Sequence, residues 1–301
     1  MSHAPRFLPA RVVRALVVAL AALTGTTAVL AQAKPARGFI WTVERDGRTS
    51  WLVGSLHVLT QDAYPLPAAM DQAFGRAKTL MEETDVNDIT SPEIIGAVAT
   101  KGMFNDGKTL QSVLTPAAYS QLSQRMAATG LPIDMVNVMR PWMVELTLSG
   151  LELQKAGFDP ELGIDVHYRR LAAKNGMALS MLETAAEQID YLAGLPLDIQ
   201  VEQLQQTLSN GDAELKEVRE IAAAWRAGDA AAIEKLLLKG MQDSPTYYKS
   251  LVVDRNRRWM PRVEACLATG NCFIVVGAAH MVGSDGLITM LRQKGYRITQ
   301  Q

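Results

Sequence analysis

The feature that most restricts how this chain can fold is a near-repetition: W-L-V-G-S-L-H at Trp51 to His57 returns as F-I-V-V-G-A-A-H at Phe273 to His280. A short apolar run ending in glycine reads as a buried strand, so both copies predict a strand that runs straight into G-x-x-H. Glycine three residues before each histidine has no Cβ to obstruct a tight turn or a close backbone approach. Any fold of this sequence must therefore carry two buried strands that each release a histidine at their end. Two further short strands are expected to end in acids: A-K-T-L-M-E-E-T-D delivers Glu83 and M-A-L-S-M-L-E-T delivers Glu183.

The remainder is largely helical in pattern. Asp46-Gly47 between two β-type runs predicts a hairpin whose second strand leads to His57. Pro65 and Pro67 open a helical pattern through Lys78. Ser91-Pro92 and Thr115-Pro116 pair an N-cap with a first-turn proline, Gly130 is a stop, and helical spacing runs from Pro141 to Ala156. A helix is expected from about Gly163 to Lys174, closed by Asn175-Gly176. Helices then dominate from Ala185 to Ala268, with breaks at Gly194 to Pro196, Asn210-Gly211, Gly228 and Ser244-Pro245. The closing strand, helix and strand (Cys272–Gly277, Leu287–Lys294, Tyr296–Thr299) read as a β-α-β unit, right-handed by default. The expected class is α/β: a helix-rich single domain over residues 34–301, with a small central mixed sheet, an active site at the strand ends and a helical middle region that caps it.

Residues 1–33 are read separately. Arg6, Arg11 and Arg14 precede the apolar run Ala15 to Leu23, and A-Q-A follows at Ala31 to Ala33, the pattern of a cleaved signal peptide. The competing reading is a retained membrane anchor. Cleavage predicts a periplasmic or secreted protein with no membrane attachment afterwards. The two cysteines, Cys266 and Cys272, flank the turn-rich L-A-T-G-N, so a disulfide is expected in an oxidising compartment, the alternative being two buried free thiols. With a net charge of -1 and no aromatic residues interleaved with Lys or Arg, a nucleic-acid partner has nothing electrostatic to grip. The expected partner is a small-molecule or peptide substrate. Nothing in the sequence fixes an oligomeric state.

In an open α/β sheet, ligands sit beyond the carboxyl ends of the strands, so His57, Glu83, Glu183 and His280 are expected to face one crevice. Two neutral imidazoles and two carboxylates balance the charge of one divalent cation, and mixed N/O donors suit manganese, cobalt, iron or zinc rather than calcium. A water on that cation would be acidified into a nucleophile. The alternative is metal-free acid–base chemistry between His and Glu. A single strand-end histidine is ordinarily a hydrogen-bonded structural residue, and it is the duplication that argues for function.

At these residues the chain resembles the TraB/GumN family, whose relatives include the TIKI metalloproteases, erythromycin esterase and haem-binding ChaN-like proteins. The resemblance spans about Phe39 to Ile298. It is carried by G-S-L-H (Gly54 to His57), E-T-D (Glu83 to Asp85), G-I-D-V-H-Y (Gly163 to Tyr168), L-E-T-A-A-E-Q (Leu182 to Gln188), D-R-N-R-R-W (Asp254 to Trp259) and V-G-A-A-H-M-V-G-S-D-G-L (Val276 to Leu287). What it implies is an α/β fold with the paired histidines and strand-end glutamates at the active centre, and, from the TIKI branch, a divalent-metal-dependent peptidase.

The metal set implied is His57, Glu83, Glu183 and His280, with Glu83, Glu183 and Arg255 in catalytic roles. Arg255 would hold a substrate carboxylate or an oxyanion; the plainer reading is a surface arginine beside Arg257 and Arg258. Asp165 is as readily a first-turn helix cap as a functional acid. His167 points elsewhere around its helix. Glu82 should face away from Glu83, and E-x-D should pair Glu83 with Asp85. The expectation is an exported metal-dependent hydrolase, with a non-catalytic haem- or metal-binding protein, or a sequesterer of a peptide signal, as alternatives.

Overall fold

The protein is described by a computed structural model, which covers residues 38–85, 91–210 and 212–301. The expected leader at residues 1–33 lies outside these. A six-stranded mixed sheet has the order β4-β3-β5-β2-β1-β6. Its strands are β1 (Ile40–Arg45), β2 (Arg48–Ser55), β3 (Thr79–Glu82), β4 (Ala178–Met181), β5 (Cys272–Gly277) and β6 (Arg297–Gln300). β4, β3, β5 and β2 are mutually parallel neighbours, whereas β1 pairs antiparallel with both β2 and β6. The class is the expected helix-rich α/β.

Local chemistry explains the strand entries. Asp46 and Gly47 turn the β1–β2 hairpin with φ of 51° and 74°, a left-handed pair that glycine adopts freely and aspartate tolerates. β5 is buried at every position, as a parallel strand covered on both faces must be. The closing unit differs from a simple β-α-β. β6 runs in the same sense as β5 but passes β2 and β1 to reach the sheet edge, because the β5 edges are already filled by β2 and β3.

The caps fall where polar residues precede proline. Ser91 accepts from the Ile94 N–H and Thr115 from the Ala118 N–H, each ahead of a first-turn proline. Gly130 and Gly176 close their helices in the left-handed region at φ of 85° and 61°. The helix expected to reach Lys78 stops at Phe74.

Two apolar clusters organise the packing. The larger surrounds the sheet with Trp51, Phe273, Tyr168, Trp225 and Trp259. The smaller belongs to the helical middle and includes Leu110, Leu122, Val144, Leu148 and Leu204. The helical middle thus has a core of its own, distinct from the sheet's. Cys266 and Cys272 form a disulfide with Cα atoms 6.0 Å apart, tying the Asp254–Thr269 helix to the start of β5.

Candidate active site

Because β2, β3, β4 and β5 run parallel, their carboxyl ends lie at one edge of the sheet. The register sets Ser55 beside Gly277, and Glu82 beside both Val275 and Met181. The residues that follow, His57, Glu83, Glu183 and His280, therefore leave four adjacent strands at the same rim. Gly277 lies at their centre. A Cβ there would stand 3.2 Å from Glu83 Oε1, 3.4 Å from His57 Nε2 and 3.5 Å from His280 Cδ2. Gly54 has a different reason to be glycine: its Cβ would strike the Phe39 ring at 2.3 Å.

The His57 side chain is 59% exposed, and Asp165 Oδ1 lies 3.3 Å from its Nδ1. Asp165 also accepts from Ser55 Oγ at 2.8 Å. Desolvation by the surrounding protein opposes charge on the imidazole, but Asp165, aided by Glu83, outweighs it and raises the pKa from 6.5 to about 9. Asp165 itself is held below the usual carboxylate range: burial would raise it, and His57 and Ser55 more than compensate. Its helix starts behind Gly163, which has no side chain to cap it, and the Asp165 carboxylate accepts from its own backbone N–H in that first turn as well as facing His57. Gly163 precedes it because a Cβ there would meet the His57 carbonyl oxygen at 2.4 Å.

His280 is buried and neutral. Asn256 Nδ2 donates to the carbonyls of His280 and Asp285, which assigns Oδ1 as the acceptor for the Nδ1–H of His280 at 2.8 Å. The lone pair of Nε2 is thereby turned toward Arg255 Nη1, at 3.1 Å. Burial pushes this imidazole down to about 3.

Arg255 is not a surface residue; it is 7% exposed and occupies the middle of the expected metal set. Nη2 donates to Glu83 Oε2 and to Glu183 Oε1, both at 2.6 Å, and Nε donates to Glu183 Oε2 at 3.3 Å. Nη1 donates to His280 Nε2 and to the Leu251 carbonyl. A guanidinium has five N–H groups, and these partners use them all. Its plane lies over Trp259, with Cζ 4.7 Å from the ring centroid, and Trp259 Nε1 donates to Glu183 Oε2 at 2.8 Å.

The carboxylates respond in opposite ways. Burial would raise Glu83, yet Arg255, the charged His57 and the Gly277 N–H, donating to Oε1 at 2.6 Å, hold it down at about 2. Burial dominates at Glu183 and raises it.

The structure thus brings all four strand-end residues and Arg255 together, but their lone pairs do not fit a shared divalent ion. Three of the four donors already receive N–H groups of one guanidinium. Among the described residues, no group of three or more His, Cys, Asp or Glu side chains is disposed to hold a metal. The same bond engages the one lone pair His280 could offer a haem iron. Nor does Arg255 have an N–H to spare for a substrate carboxylate, which would have to displace one of these partners. The expected pairing of Glu83 with Asp85 is also not found. Glu82 and Asp85 both meet the buried Arg169, at 2.7 and 3.2 Å, on the other side of β3 from Glu83.

Sequence reasoning passed over several participants: Asn256 and Trp259, and Gln188, whose Nε2 donates to Glu83 and Glu183 at 3.3 and 3.4 Å. The signal was present. Gln188 ends L-E-T-A-A-E-Q, and D-R-N-R-R-W places Asn256 next to Arg255 and Trp259 one helical turn on.

The pattern of the TraB/PrgY/gumN family matches residues 39–300. The "Uncharacterized protein YbaP" of Escherichia coli (strain K12) is 26% identical over 243 residues, covering 80% of this chain and 87% of that protein. "Metalloprotease TIKI2" of Danio rerio is 22% identical over 319 residues, covering 88% of this chain and 61% of its own length. "Metalloprotease TIKI1" of Homo sapiens is 22% identical over 317 residues, with 86% and 61% covered. No solved structure matches the chain.

Proposed function

The chain belongs to the TraB/PrgY/gumN family, and from that premise we propose that it is an exported hydrolase acting on a peptide or a similar acyl substrate, with His57 moving the proton. The observation that carries this reading is the pairing of Asp165 with His57 Nδ1, which leaves Nε2 directed at the Gly277 floor beside the ionised Glu83. Hydrolysis needs a group that takes a proton from water and returns it to the leaving atom. An imidazole held by a carboxylate behind it does both, and Glu83 stabilises the imidazolium between the two steps. The rest of the network, Arg255 with Glu183, Gln188 and Trp259, keeps Glu83 charged and in place.

Peptidase chemistry is supported by the relatives named metalloproteases, of whose length this chain spans about three fifths. Export is supported by the arginine-led apolar segment and A-Q-A in residues 1–33 and by the Cys266–Cys272 disulfide, which an oxidising compartment preserves. No helix among the described residues is long and apolar enough to cross a membrane.

The test is a cleavage screen of peptide and ester libraries with the purified chain and its His57→Ala variant. Hydrolysis that falls at least about 100-fold in the variant, with unchanged circular dichroism, is the expected result for loss of a general base. Equal turnover by the two proteins refutes the assignment.

A further inference from the structure

The donor set read from sequence as a metal centre is filled by a side chain of the protein. His280 Nε2, Glu83 Oε2 and Glu183 Oε1 lie 3.1, 2.6 and 2.6 Å from nitrogens of one guanidinium. The surroundings are shaped for a planar fork rather than a spherical ion. Two parallel N–H groups meet the two oxygens of Glu183, and the flat face rests on Trp259. Tyr191 lies near the same group, 5.5 Å from Cζ to the ring centroid. Asn256 fixes the His280 tautomer so that its lone pair serves Arg255. Like charges repel strongly in so dry a site, so a dication cannot share these donors with the guanidinium.

We propose that the cation of this site is the Arg255 guanidinium itself: the native chain binds no divalent metal through His280, Glu83 and Glu183, and these three become a metal site only when Arg255 is replaced by a neutral side chain. This goes beyond the hydrolase reading and does not depend on it, since the readout is metal content and not turnover. Glu83 Oε2 and Glu183 Oε1 already converge on the place of Nη2, and His280 Nε2 lies against the neighbouring Nη1 of the same group. An ion at the place of Nη2 needs shifts of about 0.5 Å from the two carboxylates to reach the roughly 2.0–2.2 Å of zinc–ligand bonds, and a larger shift of the His280 ring toward them.

The test dialyses the tag-free chain, Arg255→Met, and the double variant Arg255→Met with His280→Ala against zinc, manganese or cobalt. After desalting, metal is measured by mass spectrometry and folding by circular dichroism. The native chain is expected to retain far less than one ion. Arg255→Met is expected to retain about one zinc or cobalt ion per chain and to melt higher with metal than without, whereas the double variant loses both gains. Two results overturn the proposal: a native chain that holds about one ion and releases it on His280→Ala alone, or a folded Arg255→Met that gains none. Should Arg255→Met not fold, the native chain and His280→Ala still decide the first half. Arg255→Lys, which keeps the charge, then serves for the second: it should fold and stay metal-free, and a stoichiometric ion in it would refute the claim that charge at this position excludes metal.

Discussion

At the scale of single residues, one carboxylate behind one imidazole sets the chemistry. His57 is raised to about 9 because Asp165 and Glu83 favour its charged form. A base must be neutral to accept a proton, so the rate should climb with pH toward a limb near 9 in the native enzyme. Asp165→Asn removes the largest raising influence and leaves the opposing burial; a pH profile of kcat/KM should show the limb moving down to 6.5 or below, with a lower plateau. A limb that stays put would remove Asp165 from the scheme. Gly54 offers a structural check. With the Phe39 ring 2.3 Å from the position of a Cβ, Gly54→Ala should cost about 1–3 kcal/mol in urea unfolding. Both strand-end histidines and both glutamates were legible from the sequence. The direction of the Arg255 side chain was not, because a guanidinium in a run of arginines looks the same whether it points to water or to the core.

Among the elements, the four parallel strands and the Asp254–Thr269 helix make the site. The strands set the rim, and the helix supplies Arg255, Asn256 and Trp259 from one face. The Cys266–Cys272 bridge links this helix to β5, which delivers His280. Replacing both cysteines by serine should lower stability by about 2 kcal/mol, read from denaturant midpoints, since the closed ring is small. The loss of activity should exceed that of stability if the bridge also holds helix and strand in register. The hairpin, the caps and the helix stops could be read from the sequence because each is a local event with its own residue chemistry: Asp46-Gly47, Ser91-Pro92, Gly176. The partner of β6 could not, since strand pairing at a sheet edge depends on which edges earlier strands have filled.

For the whole molecule, the division into a sheet core and a separate helical core makes the helical middle a second source of pH sensitivity. Glu145, in the Pro141–Lys155 helix, is pushed from 4.5 up to about 7, chiefly by burial and then by Glu214. Between those values the unfolded chain has lost the proton that the folded chain keeps, so stability falls as pH rises through that window. Glu145→Gln should remove this fall and gain about 1–2 kcal/mol at pH 8, with little effect at pH 4, in thermal melts across pH.

Taken alone, the sequence determined that two G-x-x-H strands and two acid-ended strands must exist, since apolar periodicity and glycine chemistry act within a few residues. It also implied that they share an edge, because parallel strands of one sheet present their ends together. Only the tertiary structure decided what lies between those ends. Whether a lone pair meets a metal, a substrate or a guanidinium depends on contacts between segments far apart in the chain. Arg255 reaches Glu83 across 172 positions and Glu183 across 72. Spacing within a motif carries no information at that range.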